Sequence, residues 1–424
     1  MSIDTFRKYL IHTLSCVVLV TGVFYFWSQK YITNSDFENL QNIKIGVILP
    51  ENTKDEYSRG IWLAEDEINR SGGVLGKKIS IETYIQPESI YQDVRLGIND
   101  VLKAAHHFAN DNTIIGVIST ARSESAAAAA PVLQKKNKIL ITTSATDSVI
   151  NKMGYENLFS MQLDDYDFAE VIVHHAAEKN LHNFVIISDE TLQSIGLTTR
   201  FSAILEDSGG KVLFVGSGHQ DKYKFDKATI FLVDNPMFNV EDIDAILLVS
   251  SSPQHYAYAI RRLRQLNIFQ PIYAPRSIIS NVFLDELKNN QIDQVYVVSP
   301  YDKYYTTSLA DVFFENFKKK FLEAPGVSDE EAYTGVKLLA SAINNTKSIN
   351  SKELSNYLRS MRYIEPFSSP AGNLVFDSIG RVTETNVFVL EYGSKMWTSK
   401  RYFKPFNWKK YYENNGDSNY LDIQ

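Results

Sequence analysis

The chain has 424 residues, 44% hydrophobic and 22% charged, an ordinary globular composition with length for two or three domains. Its formal net charge of −7 works against nucleic acid as the main partner, because binding phosphates needs a basic field. Cys16 is the one cysteine, which excludes an intramolecular disulfide and fits either a reducing compartment or an exported domain with core enough to need no staple.

Arg7 and Lys8 precede an apolar run over residues 9–27, close to the ~20 residues that span a bilayer. No small-residue cleavage site follows the run, so residues 1–30 read as a cytoplasmic stub and an uncleaved signal-anchor transmembrane helix, with the body outside. A cleaved signal peptide and a lipoprotein acylated at Cys16 are the alternatives; the run continues well past Cys16, which counts against the second. Residues 31–42 form a polar tether. The folded body then opens with a strand at 43–49. Next comes a helix with Tyr57, Ile61, Ala64 and Ile68 on its inner face, stopped by Gly72-Gly73. A strand at 79–85 and a helix at 94–109 follow.

The stretch 114–150 organises what comes next. A buried strand (114–118) runs into a hydroxyl-rich loop holding Ser119, Thr120 and Ser123. An Ala-rich helix (124–134) leads to a second strand (139–141) and a second hydroxyl loop (142–146). This is a βαβ unit, whose parallel strands leave their carboxyl ends side by side. The crevice outside those ends is where open α/β sheets bind ligands, and hydroxyls beside helix N-terminal amides suit a carboxylate. The competing reading is that these residues only cap helices.

A second strand–helix set follows, with strands at 184–187, 211–215, 245–249, 271–274 and 295–299 and helices near 168–179 and 196–208. Two halves of alternating strand and helix predict an α/β fold with parallel sheets. Helices are expected at 309–321, 330–344 and 351–361, then strand-like pieces at 373–376 and 387–391. Residues 400–424 form a basic, aromatic tail, packed on its own domain or docked on a membrane or partner.

The pattern Gly60-Ile61-x-Leu63-Ala64-x-x-x-x-Ile68-Asn69-x-x-Gly72-Gly73-Val74-Leu75-Gly76 resembles the opening of type I periplasmic binding proteins of the branched-chain amino-acid (Leu/Ile/Val) receptor class. Gly116 to Ala121 and Thr143-Ser144-Ala145-Thr146 resemble the two first-lobe ligand loops of that family. The similarity extends from Ile43 to about Tyr392. It implies two Rossmann-like lobes joined by a three-stranded hinge, the first from 43–163 and 300–376 and the second from 164–299 and 377–399. The chain would cross near Leu163-Asp164, Ser299-Pro300 and Phe376-Asp377. It also implies hinge closure on a small ligand, an amino acid or other small carboxylate, delivered to an ABC permease. A membrane-tethered sensor or regulatory subunit of the same fold is the alternative.

Thr120, Ala121, Ser144 and Thr146 are the positions that match the family's carboxylate loops. Ile195 stands where the family often has a tyrosine, and Ser252 where an aromatic often sits. Arg276 replaces an acidic residue that holds the ligand ammonium in amino-acid receptors. A guanidinium there would repel an ammonium and attract a carboxylate or phosphate, or it pairs with a carboxylate at the hinge. The loop before Gly60 is short, so a first-lobe aromatic lid is expected to be missing.

No G-x-S-x-G elbow, H-E-x-x-H or P-loop is present, and no nucleophile–base–orienter set, so no enzyme activity, cofactor or metal is implied. The pairs His106-His107 and His174-His175 fall on helices, where neighbours point ~100° apart, and read as solvated faces. Asp164, Asp165 and Asp167 read as a helix cap.

Overall fold

The computed structural model describes residues 40–87, 94–189, 191–217, 239–250, 252–287, 293–302, 307–393 and 396–403. The expected transmembrane segment and most of the tether lie outside these residues, as does the tail beyond Phe403. Among the described residues no helix is long and apolar enough to cross a membrane.

Strand β1 (Ile43–Pro50) is followed by α1 (Lys54–Arg70), β2 (Ile79–Gln86), α2 (Val94–Asn110), β3 (Ile114–Ser119) and α3 (Ser123–Lys135). Then come β4 (Ile139–Thr142), a single helical turn α4 (Val149–Lys152) and β5 (Leu158–Ser160). The five strands form a parallel sheet in the order β2-β1-β3-β4-β5. Alternation along β1 sends Ile43, Ile45, Val47 and Leu49 into one core and Ile48 into the other, as a sheet covered on both faces requires. β5 is three residues long, too short for its apolar pattern to stand out in the sequence.

The second unit runs α5 (Asp165–Glu178), β6 (Asn183–Ser188), α6 (Leu192–Asp207), β7 (Lys211–Ser217), β8 (Ala245–Val249) and α7 (Pro253–Gln265). It continues with β9 (Ile272–Pro275), α8 (Asn281–Leu287) and β10 (Val295–Ser299). The sequence placed the start of α5 three residues late. Asp164 caps it: its carboxylate accepts from Tyr166 N (3.0 Å) and Asp167 N (3.1 Å), while Asp167 accepts from Asp164 N (3.2 Å). The acidic cluster is thus a cap, as read.

The chain then returns to the first unit through α9 (Ser308–Phe321), α10 (Val327–Thr346) and α11 (Ser351–Ser360), which cover one face of the five-stranded sheet. Strands β11 (Phe367–Ser369), β12 (Gly372–Phe376) and β13 (Val382–Glu384) make a small antiparallel sheet, and Leu374, Phe376 and Val382 join the same core. Val387 and Phe388 belong to the second unit's cores, so the third passage between units comes after Glu384 rather than at Phe376-Asp377. The turn at Gly380 folds β13 back onto β12 before the chain leaves. Strands β14 (Val387–Gly393) and β15 (Met396–Phe403) add antiparallel edges to a seven-stranded sheet, β15-β14-β10-β9-β8-β6-β7. Residues 400–403, read as the start of a free tail, are therefore the end of β15.

The histidines divide. His107 is exposed beside Glu82 (2.6 Å) and His174 is exposed beside Glu178 (3.6 Å). His175 is buried, not solvated: its Nδ1 lies 2.9 Å from the Tyr273 hydroxyl and its ring packs on Tyr273 and Tyr296.

Candidate functional site

The crevice between the units starts from the parallel register Ser119↔Thr142, which sets the ends of β3 and β4 side by side. The Thr143 amide donates to the Ser119 carbonyl (3.0 Å) and ties the two loops together. Thr120 is buried, and both its amide (3.1 Å) and its hydroxyl (3.2 Å) donate to the Ile48 carbonyl at the end of β1. Ser144 pairs its hydroxyl with that of Tyr57 at 2.9 Å. Tyr57 comes from the first turn of α1, and the sequence assigned it to the packing face only. It does both jobs, lying in the core and reaching the crevice with its hydroxyl. An aromatic from the first unit therefore lines the crevice despite the short loop.

Arg276 enters from the other side, in a one-turn 3-10 helix after β9. Its Nη1 donates to Glu331 on α10, so a buried ion pair joins the two units; its Nη2 lies 3.4 Å from the Thr143 carbonyl. Gln162 donates to the same Glu331 oxygen at 2.9 Å. Burial pushes the Glu331 carboxyl up to about 8, against the pull of Arg276. Burial also pushes the Tyr57 hydroxyl up. Where Glu331 is ionised, its charge offsets that of Arg276 at the floor of the crevice.

Tyr57, Thr120 and Ser144 from one unit and Arg276, Ser277 and Gln193 from the other line a cavity of about 100 Å³. Ala121 and Thr146 do not line it. Ala121 is in the core beneath, and the Thr146 carbonyl accepts from the Asp165 amide (2.9 Å). Ile195 is 53% exposed on α6, and the hydroxyl of Ser252 donates to Gln254 (2.8 Å); their neighbours Gln193 and Pro253 face the cavity instead. The partner of Arg276 could not be found from local spacing, because Glu331 lies 55 positions away. The acidic run Asp329-Glu330-Glu331 at the head of α10 was the visible signal.

Burial pushes all three carboxyls of that run upward. Burial pushes Glu330 up to about 7, although the Thr334 hydroxyl (2.6 Å) and the Ala371 amide (3.3 Å) both hydrogen-bond it. Its folded value lies above the unfolded value of about 4.3, so the native state keeps a proton that the unfolded chain releases. The stabilisation is complete below about pH 4.3 and is lost as pH rises through about 7, at up to about 1.4 kcal/mol per pH unit. Glu330→Gln is therefore expected to flatten the fall in melting temperature between pH 5 and pH 8, measured by circular dichroism. Equal slopes for both proteins would show that Glu330 stays ionised in the fold.

A model of the periplasmic binding protein family matches residues 42–395. The chain belongs to the type I periplasmic binding proteins, in the branched-chain amino-acid receptor class. Among curated relatives, a Leu/Ile/Val-binding protein homolog 7 of Brucella suis is 23% identical over 345 residues, 75% of this chain and 80% of its own length. BraC3, a Leu/Ile/Val-binding protein of Rhizobium johnstonii, is 29% identical over 178 residues, 40% of this chain; that match spans 45% of the relative's length. Among solved structures, the substrate-binding protein LivJ of Streptococcus pneumoniae, in complex with isoleucine, superposes with a TM-score of 0.74 at 21% identity. The superposition covers 86% of this chain and 100% of that one.

Proposed function

We propose that this is an extracytoplasmic solute-binding protein that closes on a small carboxylate-bearing ligand, an amino acid or a related acid, and presents it to an ABC transporter. One observation carries the reading: the cavity takes its lining from both units, Tyr57, Thr120 and Ser144 on one side and Arg276, Ser277 and Gln193 on the other. A ligand held by both sides favours the closed arrangement by its differential affinity. The family membership and the isoleucine complex of LivJ support the same class of ligand. Residues 43–163 with 300–376 act as one lobe and 164–299 with 377–399 as the other, the third passage adjusted to follow Glu384. The apolar run 9–27 tethers the body to the membrane. Nothing in the comparisons favours the sensor alternative.

The seven positions divide by role in this reading. Thr120, Ser144 and Arg276 meet the ligand. Ala121, Thr146, Ile195 and Ser252 shape the loops that carry or flank the lining. Thermal-shift screening of small carboxylates, amino acids and phosphates against the full chain tests it. At least one carboxylate is expected to raise the melting temperature, and Arg276→Gln to weaken it at least tenfold, about 1.4 kcal/mol. Unchanged affinity would remove Arg276 from the site, and a screen in which no carboxylate acts would overturn the function.

A further inference from the structure

A second cavity of about 210 Å³ adjoins the cleft on the side of the β10–α9 connection, with Ile279 and Ser280 among the walls common to both. Both units build it. Arg59 on α1 and Val327 at the start of α10 come from one; Leu284 on α8, Leu390 on β14 and Trp397 on β15 come from the other. Its chemistry is not that of the first cavity, which is lined by alcohols and Arg276. Here Ile279, Leu284, Tyr301, Val327, Leu390 and Trp397 make an apolar and aromatic wall. The charged lining residues are matched: Arg59 lies 3.0 Å from Asp329 and 2.6 Å from Glu323, and Glu56 and Asp302 have partners of their own. That arrangement calls for no ionic ligand. Trp397 is the exception to the matching. Its indole is 8% exposed and packs against Tyr392 and Phe283, with ring centroids 5.2 and 6.1 Å away. Its Nε1–H is buried with no hydrogen-bond partner among the described residues. A buried indole N–H usually finds an acceptor, and leaving it without one costs its desolvation.

We propose that this cavity is a second binding site, for an uncharged, mainly apolar molecule that carries an oxygen acceptor (a ketone, ester or ether) for the Trp397 N–H. The inference goes beyond the carboxylate reading of the first cavity and does not rest on it. Size sets the scale of the ligand. An apolar cavity of ~150 Å³ is enough for benzene, so about 210 Å³ takes a ring with a short substituent. Burial of that body against Leu284, Val327, Leu390 and the two aromatic rings supplies the affinity. A charged ligand would lose its water beside ion pairs that are already complete. The acceptor oxygen gives the indole N–H the partner that it lacks. Because the walls come from both units, occupancy favours the arrangement that holds them together, as a ligand in the cleft does.

Acetophenone and ethylbenzene test this on the full chain, because they differ only by a carbonyl in place of a methylene. Titration calorimetry should show both binding, and Leu284→Trp, which fills the cavity with an apolar group, should weaken both at least tenfold. Trp397→Phe keeps a ring in the wall and removes the N–H. It should weaken acetophenone by about fivefold, the worth of one neutral hydrogen bond, and leave ethylbenzene within about twofold. A spectroscopic readout needs no variant to bind. In the nitrogen-15-labelled parent, the indole N–H signal that Trp397→Phe deletes should move further downfield with acetophenone than with ethylbenzene. If neither probe binds, or if Leu284→Trp leaves their binding unchanged, the cavity is not a site and the proposal falls, whatever the cleft binds. If Trp397→Phe weakens both probes equally and both shift the indole signal alike, the N–H takes no acceptor and the proposed ligand class is wrong.

Discussion

Gly60→Ala is expected to destabilise the fold by at least the upper end of the ~1–3 kcal/mol typical of overpacking. A Cβ at Gly60 would lie 1.9 Å from the Asp329 carbonyl oxygen and 2.7 Å from its carbon. Both are backbone atoms of the first turn of α10, so no side chain can rotate away. Alanine is otherwise the better helix residue by about 1 kcal/mol, and the close packing of α1 on α10 outweighs that gain. The damage should also reach the site, since the turn that must move carries Glu331, the partner of Arg276. Urea unfolding of the variant measures the first effect and the ligand-induced melting shift the second. A variant as stable as the parent would mean that the two helices stand further apart than this.

The same contact explains why part of the molecule could be read from its sequence. Gly60 opens the motif through Gly76 that carried the family resemblance, and the structure supplies the steric reason for a glycine there. Strands β1, β3, β8 and β10 were visible because strands buried on both faces are continuous apolar runs between turn residues. The two hydroxyl loops could be set side by side because parallel strands joined by one helix must bring their carboxyl ends together, while Thr120 and Ser144 within them were singled out by the family resemblance. What was missed depends on contacts distant in the chain. Tyr57 satisfies a helical apolar period, and nothing local shows that its hydroxyl reaches Ser144, 87 positions on. His175 looked solvated beside His174 because adjacent histidines share a composition; their 100° separation on α5 puts one in water and one against Tyr273. Arg401 and Tyr402 looked like part of a free basic tail because the strand that pairs with them, β14, does not reveal its open edge in the sequence.

The largest electrostatic effect is expected at Arg276. The side chains of Arg276 and Glu331 are 9% and 2% exposed, so their ion pair is formed where each charge has lost most of its water. Glu331 Oε2 is buried with no hydrogen-bond partner among the described residues, which leaves Arg276 and Gln162, both on Oε1, to hold the carboxylate. A carboxyl whose folded value lies above its unfolded one favours the fold at low pH and loses that contribution as pH rises through the folded value, here about 8. Removing the guanidinium raises the folded value further. Below it, Glu331 in Arg276→Ala carries a proton, and the loss is that of its hydrogen bonds, about 1–3 kcal/mol. Above about pH 8 the parent holds the carboxylate ionised and paired and its stability stops falling, while the variant must still take up a proton to bury the group, so the gap between them widens by up to about 1.4 kcal/mol per pH unit. Arg276→Ala with Glu331→Met removes both charges and should recover most of that loss, because a buried pair replaced by apolar groups of similar volume is often neutral in stability. Denaturant unfolding of the parent, both single variants and the double variant at pH 6 and pH 8.5 gives the coupling directly. A single variant that unfolds like the parent at pH 8.5, or a double variant no more stable than Arg276→Ala, would show that the two side chains are not paired across the cleft in solution. The carboxylate-binding role given to Arg276 would then need a different geometry.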